Sequence, residues 1–277
     1  MGAPTDRRAS SSTANRDMAG RLLAPLTDLV ARAGLAILAV DRKTMAVSGK
    51  SDGSPLTDAD LASDRIIADG LAVIAPDIPV VSEERNVPGL SPSDTFFLVD
   101  PLDGTKEFIA GRNEFTVNLA LVANGTPILG LIGAPALGLI WRGVLGKGAE
   151  RLSSANAGST SAIHTRRFPA SGRPWVAAVS RSHGDASTEA FINVRGGAVR
   201  QALGSAVKFA RVAEGLADIY PRLSPTREWD IAAGCALVTA AGGKVTAPNG
   251  ADLRFGQADK NFIVPAFIAW GDPSAAR

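Results

Sequence analysis

Cysteine and histidine are nearly missing from this 277-residue chain, which has one of the former and two of the latter. The lone Cys235, inside the helical pattern Ile231 to Ala241, excludes an intrachain disulfide and suits a reducing compartment. It reads as a small core residue. The same scarcity argues against soft metal ions, whose ligands are thiolates and imidazoles. Excess charge is also short. A formal net charge of +2, with the basic residues dispersed, gives no ground for a nucleic-acid or membrane partner. No apolar run is expected to approach the ~20 residues that span a bilayer, and so no integral membrane segment. Residues 1–17 are basic at Arg7, Arg8 and Arg16 and rich in Ser and Thr. They lack the hydrophobic core of a secretory signal and are expected to form a disordered tail. A cytoplasmic location is the default, with peripheral attachment at the inner membrane as its variant.

What is present is an ordinary globular composition, 45% hydrophobic and 20% charged. Leu22, Leu26, Leu29, Ala33 and Ile37 recur at helical spacing and predict an amphipathic helix over 18–42, with Pro25 near its start. A second helix is expected from Thr57 to Ala75, where Pro76 stops it, and then a strand from Ile78 to Val81. Phe96 to Val99 reads as a buried strand that Pro101 breaks. Thr116 to Trp141 has the pattern of a β-meander with a hairpin turn at Asn124-Gly125. Ser153 to Pro174 is rich in Ser, Ala, Gly and Pro and marks a domain boundary. Beyond it, strands at Val176–Ser180 and Asp218–Tyr220 alternate with helices near 186–192, 207–214 and 231–241, which suggests an α/β layer ended by Gly242-Gly243. The expected organisation is a tail (1–17), an α+β domain carrying a metal site (18–160) and an α/β domain completing a substrate site (161–277).

The chemistry lies in acidic clusters at the ends of these elements: Glu83-Glu84, Asp100-Pro101-Leu102-Asp103-Gly104-Thr105 and Trp229-Asp230. After a strand break at Pro101, Asp103 can fold back beside Asp100 with the Leu102 carbonyl aimed at the same centre. Hard cations such as Mg²⁺ take oxygen ligands of this kind. Each cluster also has a plainer reading. Asp100 and Asp103 fit a turn, Glu83 and Glu84 a solvated loop, Asp230 an N-cap, and Thr57 with Asp60 a capping arrangement. Gly104-Thr105 and Gly204-Ser205-Ala206 each precede a helical pattern, so their amides could receive phosphate or simply start a helix.

Taken in order, these motifs resemble the inositol monophosphatase superfamily of Mg²⁺-dependent phosphatases. The strings Lys50 to Asp60, Leu98 to Ile109, Ser180-Arg181-Ser182-His183 and Tyr220-Pro221-Arg222 are similar to its bacterial CysQ-type 3'(2'),5'-bisphosphate nucleotidase branch, over about Leu22 to Phe267. The resemblance implies a layered α/β/α/β/α fold and hydrolysis of 3'-phosphoadenosine 5'-phosphate to AMP and phosphate, which clears an inhibitory by-product of sulfate assimilation. It implies two or three Mg²⁺ ions held by Glu83, Asp100, the Leu102 carbonyl, Asp103 and Asp230. Thr105, oriented by Asp60, and Glu83 would activate the attacking water. Gly104 and Thr105 would hold the scissile phosphate. Ser180, His183, Ser205, Lys208 and Arg222 are the candidates for the second phosphate and the nucleoside. Glu228 and Ala206 are departures from the usual pattern. Inositol monophosphatase or sugar bisphosphatase activity is the alternative. A non-catalytic phosphate sensor is a further one, although it predicts a lost ligand and every acid named above is present.

Overall fold

The computed structural model describes residues 7–50, 53–85, 95–153, 159–168, 173–182, 184–194 and 198–276, with only the backbone of 7–12. Helix α1 runs from Arg7 to Ala39, so from residue 7 onward the expected tail is helical. The Ser/Thr-rich start hid this, because its helical character lies in the backbone rather than in an apolar stripe. From Leu26 the stripe takes over: Leu26, Leu29, Val30, Ala33 and Ile37 are at most 1% exposed. Thr13–Ala39 meets the length and composition of a membrane span, which corrects the expectation that no apolar segment comes near that length. Here its apolar stripe packs into the protein core.

Strands β1 (Val47–Gly49) and β2 (Pro55–Thr57) form a small hairpin leading into α2 (Asp58–Ile74), which packs on α1. Gly70 permits that approach, since a Cβ there would overlap Leu29. The first sheet follows with β3 (Val80–Ser82), β4 (Thr95–Asp103), β5 (Thr116–Ala123), β6 (Thr126–Ala134), β7 (Leu139–Val144), β8 (Gly148–Ser153) and β9 (Thr160–Ile163). These seven strands lie in sequence order, and β3 with β4 is the parallel pair. Strand β9 falls inside the Ser153–Pro174 stretch and pairs with β8. The pleat sends alternate side chains to opposite faces. Phe97, Val99, Leu119 and Leu121 meet α1 and α2, while Phe96, Leu98, Ala120 and Val122 belong to the core on the other side. Strand β4 does not end at Val99. It continues past Pro101 to Asp103, with a register shift against β5 between Asp100 and Asp103. The proline's missing donor falls in that irregularity, so it bends the strand without ending it.

The second sheet contains β10 (Trp175–Ser180), β11 (Ala198–Leu203), β12 (Ile219–Arg222), β14 (Lys244–Thr246) and β16 (Phe267–Trp270), in the order β11-β10-β12-β16-β14. A short pair, β13 (Thr226–Arg227) with β15 (Ile263–Val264), lies apart. Helix α4 (Ala186–Asn193) covers one face, where Ile192 packs with Ile219, Ile268 and Trp270. Helices α5 (Val207–Ala213) and α6 (Glu228–Ala240) fill the space between the sheets. The layers run α1/α2, first sheet, α5/α6, second sheet, α4, as the resemblance implied.

Candidate active site

The sheet topology explains why the acids meet. Parallel β3 and β4 pair Ser82 with Val99, so Glu83, just past the end of β3, and Asp100, within β4, come next to each other. Asp100 is 1% exposed, and its Oδ1 accepts from the Leu102 amide at 3.0 Å. Asp103, across the irregularity, accepts from Asn118 Nδ2 at 3.3 Å and from Ser205 Oγ at 2.7 Å. Asp230 comes from the opposite layer. It is not the N-cap expected for it: α6 starts two residues earlier at Glu228, and Asp230 reaches back to the Thr226 hydroxyl and to the Arg227 amide at 3.1 Å.

Burial first, then Glu83, Asp103 and Asp230, hold the Asp100 carboxyl well above the usual range. Asp230 is pushed up to about 7 by burial, then by Asp103 and Glu83. Glu83 is also raised by burial, against the pull of Lys50. Carboxylates that raise one another in this way form a focus of negative potential supplied only with oxygen donors, which fits hard divalent cations. As the side chains stand, no three His, Cys, Asp or Glu among the described residues converge on one ion position. Their oxygens are turned onto protein donors. Lys50 Nζ, 2.6 Å from Glu83 and 2.5 Å from Glu84, is the chief of these.

Asp60 and Thr105 meet as the resemblance implied. Asp60 accepts from the Thr57 amide at 2.8 Å, the Thr57 hydroxyl at 2.6 Å and the Thr105 hydroxyl at 3.0 Å. The capping reading of this residue therefore holds, and the same carboxylate also reaches Thr105. Thr105 Oγ1 also lies 3.2 Å from the Leu102 carbonyl. Gly104 adopts φ +91°, a left-handed turn that suits glycine, and starts the short helix α3 (Thr105–Ile109).

A cavity of about 210 Å³ opens here, and its lining includes Asp103, Gly104, Thr105 and Asp230 together with Ser180, Ser205, Lys208 and Arg222. Lys208 is 3% exposed, with its Nζ 2.5 Å from the Ser205 carbonyl and 5.2 Å from the Tyr220 ring centre. Burial lowers its pKa to about 8. Arg222 donates to the Pro225 carbonyl at 3.1 Å, while its buried Nε is unmatched among the described residues. The Ser205 hydroxyl is engaged with Asp103 and Thr116. His183 lies outside the described residues. Glu228 is bound by the Gly256 and Gln257 amides at 2.5 and 2.9 Å, so it anchors a loop and does not line the cavity. Sequence reasoning missed Lys50 and Asn118 as partners of the acids, and Thr116 behind Asn118 and Ser205. Lys50 stood at the head of the Lys50 to Asp60 string, whereas Thr116 and Asn118 were hidden in a run that reads as plain buried strand.

A layered α/β sandwich whose strand ends deliver carboxylates to one cleft defines a metal-dependent phosphatase architecture. The chain belongs to the inositol monophosphatase family, whose model matches residues 20–273. It is 41% identical over 251 residues to the 3'(2'),5'-bisphosphate nucleotidase CysQ of Shigella flexneri, covering 89% of this chain and 98% of that protein. Its counterpart in Escherichia coli K12 is 40% identical over 251 residues with the same coverage. Among solved structures, CysQ from Bacteroides thetaiotaomicron is similar at a TM-score of 0.72 and 33% identity, covering 89% of this chain and 96% of that one.

Proposed function

We propose that this protein is a Mg²⁺-dependent 3'(2'),5'-bisphosphate nucleotidase that hydrolyses 3'-phosphoadenosine 5'-phosphate to AMP and phosphate in the cytoplasm. The observation that carries the reading is one cavity lined by two of the cage acids, Asp103 and Asp230, together with Lys208 and Arg222. It occurs in a chain 41% identical to a protein named for that activity. A bisphosphate brings more negative charge than the cage ions neutralise, and a point-charge lysine beside a forked arginine suits the second phosphate.

Glu83, Asp100, the Leu102 carbonyl, Asp103 and Asp230 would hold two Mg²⁺, with room for a third near Glu83. Bound there, Mg²⁺ supplies charge neutralisation, water activation and stabilisation of the departing ribose oxygen. The protein's own part begins with Asp60, whose carboxylate accepts a hydrogen bond from the Thr105 hydroxyl and so leaves the Thr105 oxygen able to accept from the attacking water. Glu83 would be the other group able to take a proton. The Gly104 and Thr105 amides face the scissile phosphate, while Ser180, Ser205, Lys208 and Arg222 hold the rest of the substrate. In this scheme residues 18–160 carry most of the cage and 161–277 most of the substrate wall, with Asp230 crossing between them.

A phosphate-release panel tests the reading. Purified protein with Mg²⁺ is expected to act on 3'-phosphoadenosine 5'-phosphate in preference to inositol 1-phosphate or fructose 1,6-bisphosphate, and to lose activity with a chelator. Rapid hydrolysis of inositol 1-phosphate with none of the nucleotide would favour the inositol monophosphatase alternative.

A further inference from the structure

We propose that Glu114 is the positioning residue for the substrate wall, gripping the carboxyl ends of β10 and β11 through Arg181 and the Gly204 amide. The proposal rests on the nucleotidase reading for its kinetic consequence, but its structural content is independent of it.

Strands β10 and β11 are parallel neighbours that pair Ser180 with Leu203. Their ends therefore deliver Ser180 and the Gly204-Ser205-Ala206 turn to the cavity together, the place where open α/β sheets bind ligands. Glu114 belongs to the other layer, in the segment between α3 and β5. Its Oε2 accepts from the Gly204 amide at 2.7 Å. The Arg181 guanidinium spans both oxygens, with Nη2 3.1 Å from Oε1 and Nη1 on Oε2. The same Nη2 donates to the Ala202 carbonyl at 2.9 Å. One carboxylate thus holds both strand ends. Burial pushes the Glu114 carboxyl up, but Arg181 and the Gly204 amide outweigh it and hold it below its ordinary value.

The approach at this point is close. A Cβ on residue 204 would lie 2.6 Å from the Glu114 carbonyl oxygen and 3.1 Å from Glu107 Cγ, so glycine is required for the two segments to touch. The next residue, Ser205, sits at φ +53°, a left-handed conformation that non-glycine residues rarely adopt. Such a conformation persists only where its surroundings fix it, and the Leu203–Gly204 peptide, one link earlier in the chain, is the one Glu114 anchors. Ser205 in turn places its hydroxyl on Asp103 and its carbonyl on Lys208. A displaced Gly204 amide would move the phosphate-facing lysine and the support of Asp103 at once.

The experiment combines steady-state kinetics on 3'-phosphoadenosine 5'-phosphate with amide hydrogen exchange over residues 203–206 in substrate-free protein. Three variants separate the roles. Glu114→Gln keeps an acceptor for Gly204 and loses the ion pair. Glu114→Ala loses both. The exchange Glu114→Arg with Arg181→Glu restores an ion pair of reversed polarity without the acceptor. For Glu114→Ala, KM should rise about tenfold, the size of one lost charge-assisted hydrogen bond, with a smaller change in kcat and faster exchange at 203–206. Glu114→Gln should recover most of both, and the charge-reversed pair should recover neither. Wild-type KM and exchange in the charge-reversed pair would reduce Glu114 to an ordinary ion-pair partner and overturn the proposal. So would unchanged protection at 203–206 in Glu114→Ala. If the wild-type protein does not turn over the nucleotide, the functional reading fails, and the exchange data still decide the role of Glu114.

Discussion

Asp60 shows how one side chain serves both stability and chemistry. Its carboxylate closes the first turn of α2 through the Thr57 amide and also receives the Thr105 hydroxyl. Asp60→Asn is expected to cost about 1 kcal/mol in thermal unfolding, the usual worth of a cap. Its kcat should fall far more, about 10²-fold or beyond, because an amide has one oxygen where the Thr57 and Thr105 donors use two, and it cannot act as a base. Equal effects on melting and on turnover would mean that the residue only caps. Lys208 supplies a pH dependence. Its pKa in the free protein is lowered to about 8, so it loses its charge as pH rises through that value. Because kcat/KM reports the free enzyme, kcat/KM for the nucleotide should fall across pH 8, and Lys208→Met should remove that limb of the profile while raising KM. Legibility at this scale followed the backbone. Asp100 and Glu83 could be read because each continues an apolar strand. The partners that now hold the acids, Lys50, Asn118 and Ser205, come from other elements, and no spacing along the chain encodes such meetings.

Helix α6 is the element on which the site depends, since it carries Asp230 across the gap between the sheets. Its seat is set by glycines. A Cβ on Gly130 of β6 would overlap the Ala233 carbonyl, and one on Gly234 would overlap the Phe209 ring of α5. Gly130→Ala should therefore destabilise the fold by about 1–3 kcal/mol, the range for overpacking a filled core. It should also weaken Mg²⁺ binding, measured by calorimetry on folded protein, because Asp230 moves with its helix. Unchanged Mg²⁺ affinity would show that the helix slides without carrying its first turn. The sequence already showed α2, α5, α6 and the meander, where apolar periodicity is strong. It misplaced the start of α1 and of α6 and the end of β4. In each case a polar or proline-containing stretch continues an element whose hydrogen bonding, rather than its hydrophobic pattern, defines it.

Across the whole molecule the carboxylates arrive from separate layers; burial first and then their mutual charge raise Asp100 and Asp230, and burial raises Glu83. A ligand that binds only the folded state stabilises it. Mg²⁺ at a hundredfold excess over its Kd should add about 2.7 kcal/mol per site, seen as a rise in Tm that a chelator reverses and NaCl of equal ionic strength does not reproduce. A Tm indifferent to Mg²⁺ would count against the cage. Strand β16 has a different kind of consequence. It lies in the interior of the second sheet, between β12 and β14, although it follows both in the chain. During synthesis, then, β12 and β14 leave the ribosome with a gap between them, and they are joined only when Phe267–Trp270 emerges. A nascent chain therefore carries every candidate cage acid while the sheet that backs its substrate wall is still open.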